Sequence, residues 1–170
     1  MKMIRQLRHS DIMPGASNKD AAKFSHREAA RAVVTNASGG VALLYVGKYH
    51  YHKLPGGGVE DGEDIRQALM RELLEEIGCR ATITDELGQI VEYRDRWNQK
   101  QTSYCYLAQQ VGPAGSPDFT KKELSEGFEI VWADNLDHAI GLLESELPQD
   151  YGAKFIHERD LAFLRALKTR

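Results

Sequence analysis

Glu72, Glu75 and Glu76 stand within five positions of one another in the run "RELLEEIG", residues 71–78, with no lysine among them. On a helix, at ~100° per residue, Glu72 and Glu76 stack one turn apart and Glu75 lies beside them. Like charges at such spacings repel by roughly 0.2–0.5 kcal/mol per pair, so the cluster asks for a partner of opposite charge. Three hard oxygen donors in one patch suit a hard divalent cation. Mg²⁺ fits best, because it takes one or two carboxylates and completes its shell with water and substrate phosphates. Taken alone, "ELLEE" also reads as an acidic face turned to solvent. The glycines of "PGGG", residues 55–58, weigh against that reading, since they let backbone approach a ligand and lead directly into the helix. Arg71 is placed to orient one carboxylate by ion pairing. Glu60, Asp61, Glu63 and Asp64 put further acid at the helix N-terminus, where the helix dipole favours it.

The elements that must position these groups follow from periodicity. In "EDGEDIRQALMRELLEEIG" an apolar stripe of Ile65, Ala68, Leu69, Leu73 and Ile77 predicts a helix, and Gly78 sits where a left-handed turn ends one. Upstream, "AARAVVTNASGGVALLYVGKYHYHKL" gives two β-rich runs around the turn "NASGG", which predicts a hairpin. Downstream, "CRATITDELGQIVEYR" reads as one or two strands and "DRWNQK" as a hairpin loop. The returning strand "QTSYCYLAQQV" has Ser103, Cys105 and Leu107 on one face and Tyr104 and Tyr106 on the other. "GPAGSPD" is a loop, "FEIVWAD" a strand, and residues 136–144 and 150–167 are two closing helices. Residues 1–27 are a polar extension with room for one short strand. Strands around one central helix, with helices at the end, predict a mixed sheet between helices.

Gly57, then five residues, Glu63, then seven residues, and then Arg71-Glu72-Leu73-Leu74-Glu75-Glu76-Ile77-Gly78-Cys79 resembles the Nudix box. Every charged and glycine position of that motif is filled. The closing position, usually aliphatic, holds Cys79, a departure that concerns packing. The resemblance extends across about residues 28–168 and places a Nudix domain at 28–170 after the extension. It implies an α/β fold, the α/β/α sandwich with a central mixed sheet, and hydrolysis of a nucleoside diphosphate linked to a group X. It also implies Mg²⁺, with Mn²⁺ as a substitute, held by Glu72, Glu75, Glu76 and the backbone carbonyl of Gly57. Arg71 would orient a box glutamate, and Glu63 would support the loop from behind the metal ligands. Glu76 is the residue expected to be least dispensable. The general base varies in the family: Glu72 is one candidate, and a glutamate on a distant loop is the other. "KKELSEGFEIVW" offers Glu123, Glu126 and Glu129, of which Glu126 is favoured because it precedes the strand. The chemistry agrees, since a diphosphate repels a nucleophile until its charge is neutralised.

The box does not select the substrate. The proline that follows the box in ADP-ribose hydrolases is missing from "EYRDRW". The Ser-Gln-Pro-Trp run of NADH hydrolases and the coenzyme A pattern are missing too. Tyr93 lies near a tyrosine position associated with dinucleoside polyphosphate hydrolases. Tyr93, Trp97, Tyr104 and Tyr106 are candidates to stack a base, and Lys48, Lys53 and Arg94 are candidates to meet phosphate. The leading expectation is a nucleoside triphosphate, oxidised forms such as 8-oxo-dGTP included, cleaved to monophosphate and pyrophosphate. The alternatives are an ADP-ribose or nucleotide-sugar pyrophosphatase, a non-catalytic nucleotide-binding module, and an RNA-end processing enzyme.

Composition bounds these readings. A chain of 170 residues is long enough for one well-cored domain, and 42% apolar with 28% charged residues is ordinary for a globular protein. A net charge of −3 argues against broad nucleic-acid binding. No apolar run approaches the ~20 residues of a membrane span, and the charged N-terminus lacks the pattern of a signal peptide. Cys79 and Cys105 make no metal or disulfide framework and suit a reducing cytoplasm. His50 and His52 alternate in "KYHYHKL" without a third ligand at metal spacing. Homodimers are common in the family, and the extension or the closing helices offer an interface.

Overall fold

In a computed structural model describing residues 1–170, the chain forms seven strands and five helices. The strands are β1 (Met3–Leu7), β2 (Ser25–Thr35), β3 (Val41–Val46), β4 (Tyr51–Lys53), β5 (Arg80–Arg94), β6 (Gln99–Val111) and β7 (Phe128–Ala133). The helices are α1 (His9–Ile12), α2 (Ile65–Ile77), α3 (Lys121–Ser125), α4 (Leu136–Glu144) and α5 (Tyr151–Lys168). All strands join one sheet of order β1-β5-β6-β2-β3-β4, with β7 on β3. It is mixed: β1 runs parallel to β5 and β2 parallel to β6, while the remaining pairs are antiparallel. This is the α/β sandwich that the sequence predicts. No helix is long and apolar enough to cross a membrane.

The sheet separates two cores. Leu69, Leu73 and Ile77 of α2 are buried against Ala30, Ala32, Val34 and Leu44 on one face, and Ile65 is partly buried with them; Ala68 of α2 is buried as well. On the other face Phe155, Phe163 and Leu164 of α5 and Leu143 of α4 pack on Val33, Leu43, Ile90 and Cys105. Each fully buried Leu or Phe contributes about 1.5–3 kcal/mol, which is what holds α2 and α5 to opposite sides. The two thiols are free and lie in different cores, Cys105 in the α5 layer and Cys79 in the α2 layer. Burial pushes both thiols up.

Two expectations need correction. The "NASGG" turn forms, with Asn36 N–H donating to Gly40 O at 3.0 Å, but β2 and β3 pair only at Thr35 and Val41. They then diverge, β2 along the whole of β6 and β3 along β7. The vacated edge of β2 is taken by residues 55–59. Ala30 N–H donates to Gly57 O at 2.9 Å, Ala32 N–H to Pro55 O at 3.2 Å, and Val59 N–H to Glu28 O at 3.1 Å. His50 also departs from the strand placement, closing a short 3-10 turn in the left-handed region at φ 53°. Its Nδ1 meets the Tyr45 hydroxyl at 3.1 Å, whereas His52 Nδ1 meets Glu146 Oε1 at 2.5 Å.

α2 starts where the side chain of Asp64 accepts from Arg66 N and Gln67 N, at 2.8 and 2.9 Å, while Gln67 Oε1 accepts from Asp64 N–H at 2.8 Å. It stops at Gly78, φ 61°. Replacing Asp64 by Ala removes the one oxygen, Oδ1, that accepts from both exposed amides. The expected loss is about 1 kcal/mol, read as a lower urea midpoint with an unchanged slope.

Candidate active site

Residues 55–59 bring backbone and carboxylates into direct contact. Gly56 has φ 123°, and a β-carbon there would overlap the carbonyl of Ala30. A β-carbon on Gly57 would overlap the carboxylate of Glu72. Only glycine admits both approaches. Glu76 is 2% exposed, and its Oε2 accepts the Gly56 N–H while its Oε1 accepts Lys53 Nζ at 2.8 Å. Gly57 O accepts from Ala30 N–H, and a carbonyl's second lone pair stays available to a cation.

Arg71 holds the opposite side of the acid cluster. Its Nε and Nη2 donate to Glu63 at 2.8 and 3.0 Å, its Nη1 to Glu72 at 3.0 Å and Glu75 at 3.2 Å, and its Nη2 also to Gly58 O at 3.1 Å. The repulsion foreseen among the glutamates is thus answered by Arg71 and Lys53. The hydrogen bonds from Arg71, with one from Glu60 N–H, hold the Glu63 carboxyl down to about 2. Burial and the charge of Glu76 push the Glu72 carboxyl up, against Arg71.

These groups line a cavity of about 490 Å³ that carries both acidic and basic side chains. Its acids are Glu72 and Glu76 of α2, Glu123 of α3 and Glu126 just after it. Glu123 is engaged in the cap of α3, accepting from Thr120 N and Oγ1 at 2.8 and 2.7 Å. Glu129 is exposed and absent from the lining, and Glu75 likewise stays outside the cavity. Its bases are Arg27 and Arg31 of β2, Arg94 of β5, Arg159 of α5, Lys53 and Lys122. Of the candidate substrate contacts, Lys53 and Arg94 reach the cavity. Tyr93 and Tyr104 do not: Tyr93 lies under Arg8, at 4.6 Å, and the Tyr104 hydroxyl donates to Glu28 at 2.8 Å. Of the four aromatic candidates Trp97 lines the cavity, with Tyr51 and Phe128, and it is half exposed with the Arg94 guanidinium 5.3 Å from its ring.

Arg27, Arg31 and Arg159 were not among the expected residues. The one signal is an arginine at the centre of the otherwise apolar run "AARAVV", where period-two alternation puts Arg31 on the same face as Arg27. The register then builds a polar row across the sheet, Arg27 beside Gln101 and Gln101 beside Glu92. Gln101 accepts from Arg27 Nη1, and its Nε2 donates to Glu92 at 2.8 Å. Ser103 Oγ donates to Glu92 at 3.0 Å and Arg94 Nη2 at 2.7 Å. Burial opposes the Glu92 charge, but Arg94 and Arg159 outweigh it and hold the carboxyl below the usual range.

No group of three or more His, Cys, Asp or Glu side chains is arranged to hold a metal ion by itself. The donor set still fits Mg²⁺, because two hard carboxylates and one carbonyl leave positions for water and substrate oxygens. Glu72, Glu76 and the Gly57 carbonyl are the residues that would hold it.

The family model for the NUDIX domain matches residues 25–150. The chain belongs to the Nudix family. An RNA pyrophosphohydrolase of Wolbachia pipientis is 36% identical over 74 residues, 41% of this chain and 39% of that protein. The chain thus spans about two fifths of that relative's length. Among solved structures, a MutT protein from Methanosarcina mazei superposes with a TM-score of 0.56 at 20% identity, over 86% of this chain and 98% of that one. An ADP-ribose pyrophosphatase from Streptococcus suis does so with a TM-score of 0.53 at 18% identity, over 84% and 92%. At these identities the structural likeness speaks for the Nudix fold alone.

Lysine at position 71 cannot span Glu63, Glu72, Glu75 and the Gly58 carbonyl at once, because its charge is a point and not a fork. In Arg71→Lys the Glu63 carboxyl is expected to titrate back toward ~4.3, against about 2 in the wild type, read by carboxyl ¹³C NMR. The sign follows from the lowered value. The stability that the pair adds is complete above the unfolded carboxyl's titration and is lost as pH falls through about 2.

Proposed function

We propose that the chain is a Mg²⁺-dependent Nudix hydrolase that cleaves a nucleoside triphosphate to monophosphate and pyrophosphate. The observation that carries this reading is that Glu72 and Glu76 meet the glycine loop in a cavity that Glu126 also lines. When bound, Mg²⁺ supplies charge neutralisation and alignment for the diphosphate and the attacking water. The chain's own groups do the rest. Gly56 N–H and Lys53 fix both oxygens of Glu76, and Arg71 fixes Glu72, so the carboxylates meet the substrate preoriented. Glu126 is the favoured general base. Its carboxylate is on the cavity, whereas that of Glu123 is engaged by Thr120 and Glu129 lies outside. Trp97 offers the face on which a base can stack.

Oxidised nucleotides, 8-oxo-dGTP among them, fall within the same reading. One observation favours a second reading, removal of pyrophosphate from an RNA 5′ end, namely the likeness to the Wolbachia RNA pyrophosphohydrolase. The net charge of −3 weighs against it.

The test is hydrolysis, with Mg²⁺, of ordinary and oxidised nucleoside triphosphates, ADP-ribose, nucleotide sugars, dinucleoside polyphosphates and a 5′-triphosphorylated oligoribonucleotide, with products resolved. Monophosphate and pyrophosphate from a nucleoside triphosphate are expected. Glu76→Gln should lower kcat by more than the roughly 100-fold that loss of an outer partner of a metal ligand costs. No turnover in the folded wild type would instead leave a nucleotide-binding module, and turnover that survives Glu76→Gln would remove Glu76 from the essential metal ligands.

A further inference from the structure

The cavity lining includes one buried cation with two donors that meet no acceptor in the protein. Arg94 is matched by Glu92 at 2.7 Å, and Arg159 by Asp160 at 2.7 and 3.1 Å. Arg31 is only 6% exposed, yet its Nε and Nη1 have no hydrogen-bond partner. Arg94 Nε and Arg159 Nη1 are also buried and unpartnered, and all three side chains line the cavity with Arg27. Burial and the charge of Arg159 push Arg31 down to about 10, so it remains a cation at neutral pH. Arg27 is lowered as well, by burial and then by Arg94 and Arg159.

Buried donors are almost always paired, and a buried cation is found with an anion. Arg94 and Arg159 already have carboxylates and Arg27 has Gln101, so Arg31 is the guanidinium left to be balanced, and a sugar hydroxyl brings no charge to do it. The fork of a guanidinium matches the oxygens of a phosphoryl group. The location is also specific: the Cα of Arg31 is 3.0 Å from where a β-carbon on Gly56 would stand, so Arg31 adjoins the loop that fixes Glu76.

We propose that Arg31, with Arg27, Arg94 and Arg159, forms a specificity subsite for a phosphoryl group attached to the scissile diphosphate, so that X is itself phosphate and not a neutral sugar. This rests on the Nudix hydrolase reading. A free nucleoside triphosphate and a 5′-triphosphorylated RNA end share that chemistry, and both serve as substrates in the test.

The experiment compares wild type, Arg31→Gln and Arg31→Lys in two assays. In the first, kcat/KM is measured with Mg²⁺ for a nucleoside triphosphate, the triphosphorylated oligoribonucleotide and ADP-ribose. Arg31→Gln should lower the triphosphate values at least about tenfold relative to ADP-ribose, as expected for a lost charge-assisted hydrogen bond, and Arg31→Lys should restore part of the ratio. The triphosphate substrate with the larger wild-type value names the source of the phosphoryl group. In the second assay, inorganic tripolyphosphate is added in EDTA and thermal unfolding is followed, with sodium chloride at equal ionic strength as control. Tripolyphosphate should raise the wild-type Tm beyond the control, and this gain should vanish in Arg31→Gln. An unchanged substrate ratio, or a tripolyphosphate effect no larger than that of salt, overturns the proposal. The EDTA assay decides it in wild type even if Arg31→Gln does not fold. It also separates the two readings: no turnover with intact tripolyphosphate binding defeats the hydrolase and keeps the subsite, whereas turnover of ADP-ribose alone defeats the subsite and keeps the hydrolase.

Discussion

The parting of β2 from β3 is the constraint on which the rest depends. Two strands joined by a tight turn would ordinarily pair along their length, and here they pair at one position. The free edge of β2 must then find other partners, because buried amides and carbonyls are costly to leave unmet. The Pro55–Val59 backbone supplies them. Such a close approach over both a strand and a helix side chain excludes β-carbons at Gly56 and Gly57. The same segment is clamped from both layers: Gly56 N–H by Glu76 of α2 and Leu54 N–H by Asp160 of α5, at 2.9 Å. Packing of α2 and α5 on opposite faces thereby fixes one loop between them.

Fixing that loop requires buried charge, and the sheet neutralises it in pairs. Glu92, Arg159 and Asp160 are wholly buried, and isolated ions there would be prohibitively costly. Paired, they still add little net stability compared with an apolar core. Their effect is positional. Asp160 accepts from Leu54 N–H while Arg159 pairs with both of its oxygens, and Glu92 ties Arg94, which lines the cavity, to Gln101 and Ser103 behind it.

How much of this was legible follows from the range of the interactions. α2 was readable in full, since its stripe, its acidic cap and its closing glycine are all local. The two faces of β6 were readable by alternation, with Cys105 and Tyr106 in opposite cores. The β2–β3 divergence was not, because residues 55–59 take the edge of β2 and β4 takes that of β3, and no local pattern announces either pairing. The aromatic candidates were named without a facing argument. β5 has register shifts between Ile83 and Asp85 and between Glu86 and Gly88, and is regular from there to Arg94. Alternation in that stretch sets Tyr93 opposite to Arg94, and it is Arg94, with Trp97 in the following turn, that lines the cavity.

Net charge misled in a more instructive way. The chain carries −3 overall, yet its cavity is lined by six basic and four acidic side chains. At physiological salt a charge is felt over about 8 Å, so an approaching ligand senses local side chains and not the sum. A polyanion lying across the outer surface meets the exterior acids, including Glu60 and Asp61 beside the glycine loop. A phosphate chain small enough to enter meets guanidinium groups in a desolvated space, where each interaction is stronger than in water. The same sequence can thus disfavour extended nucleic acid and still hold a compact polyphosphate. Which of the two it does is decided by where β2 places Arg31, not by composition.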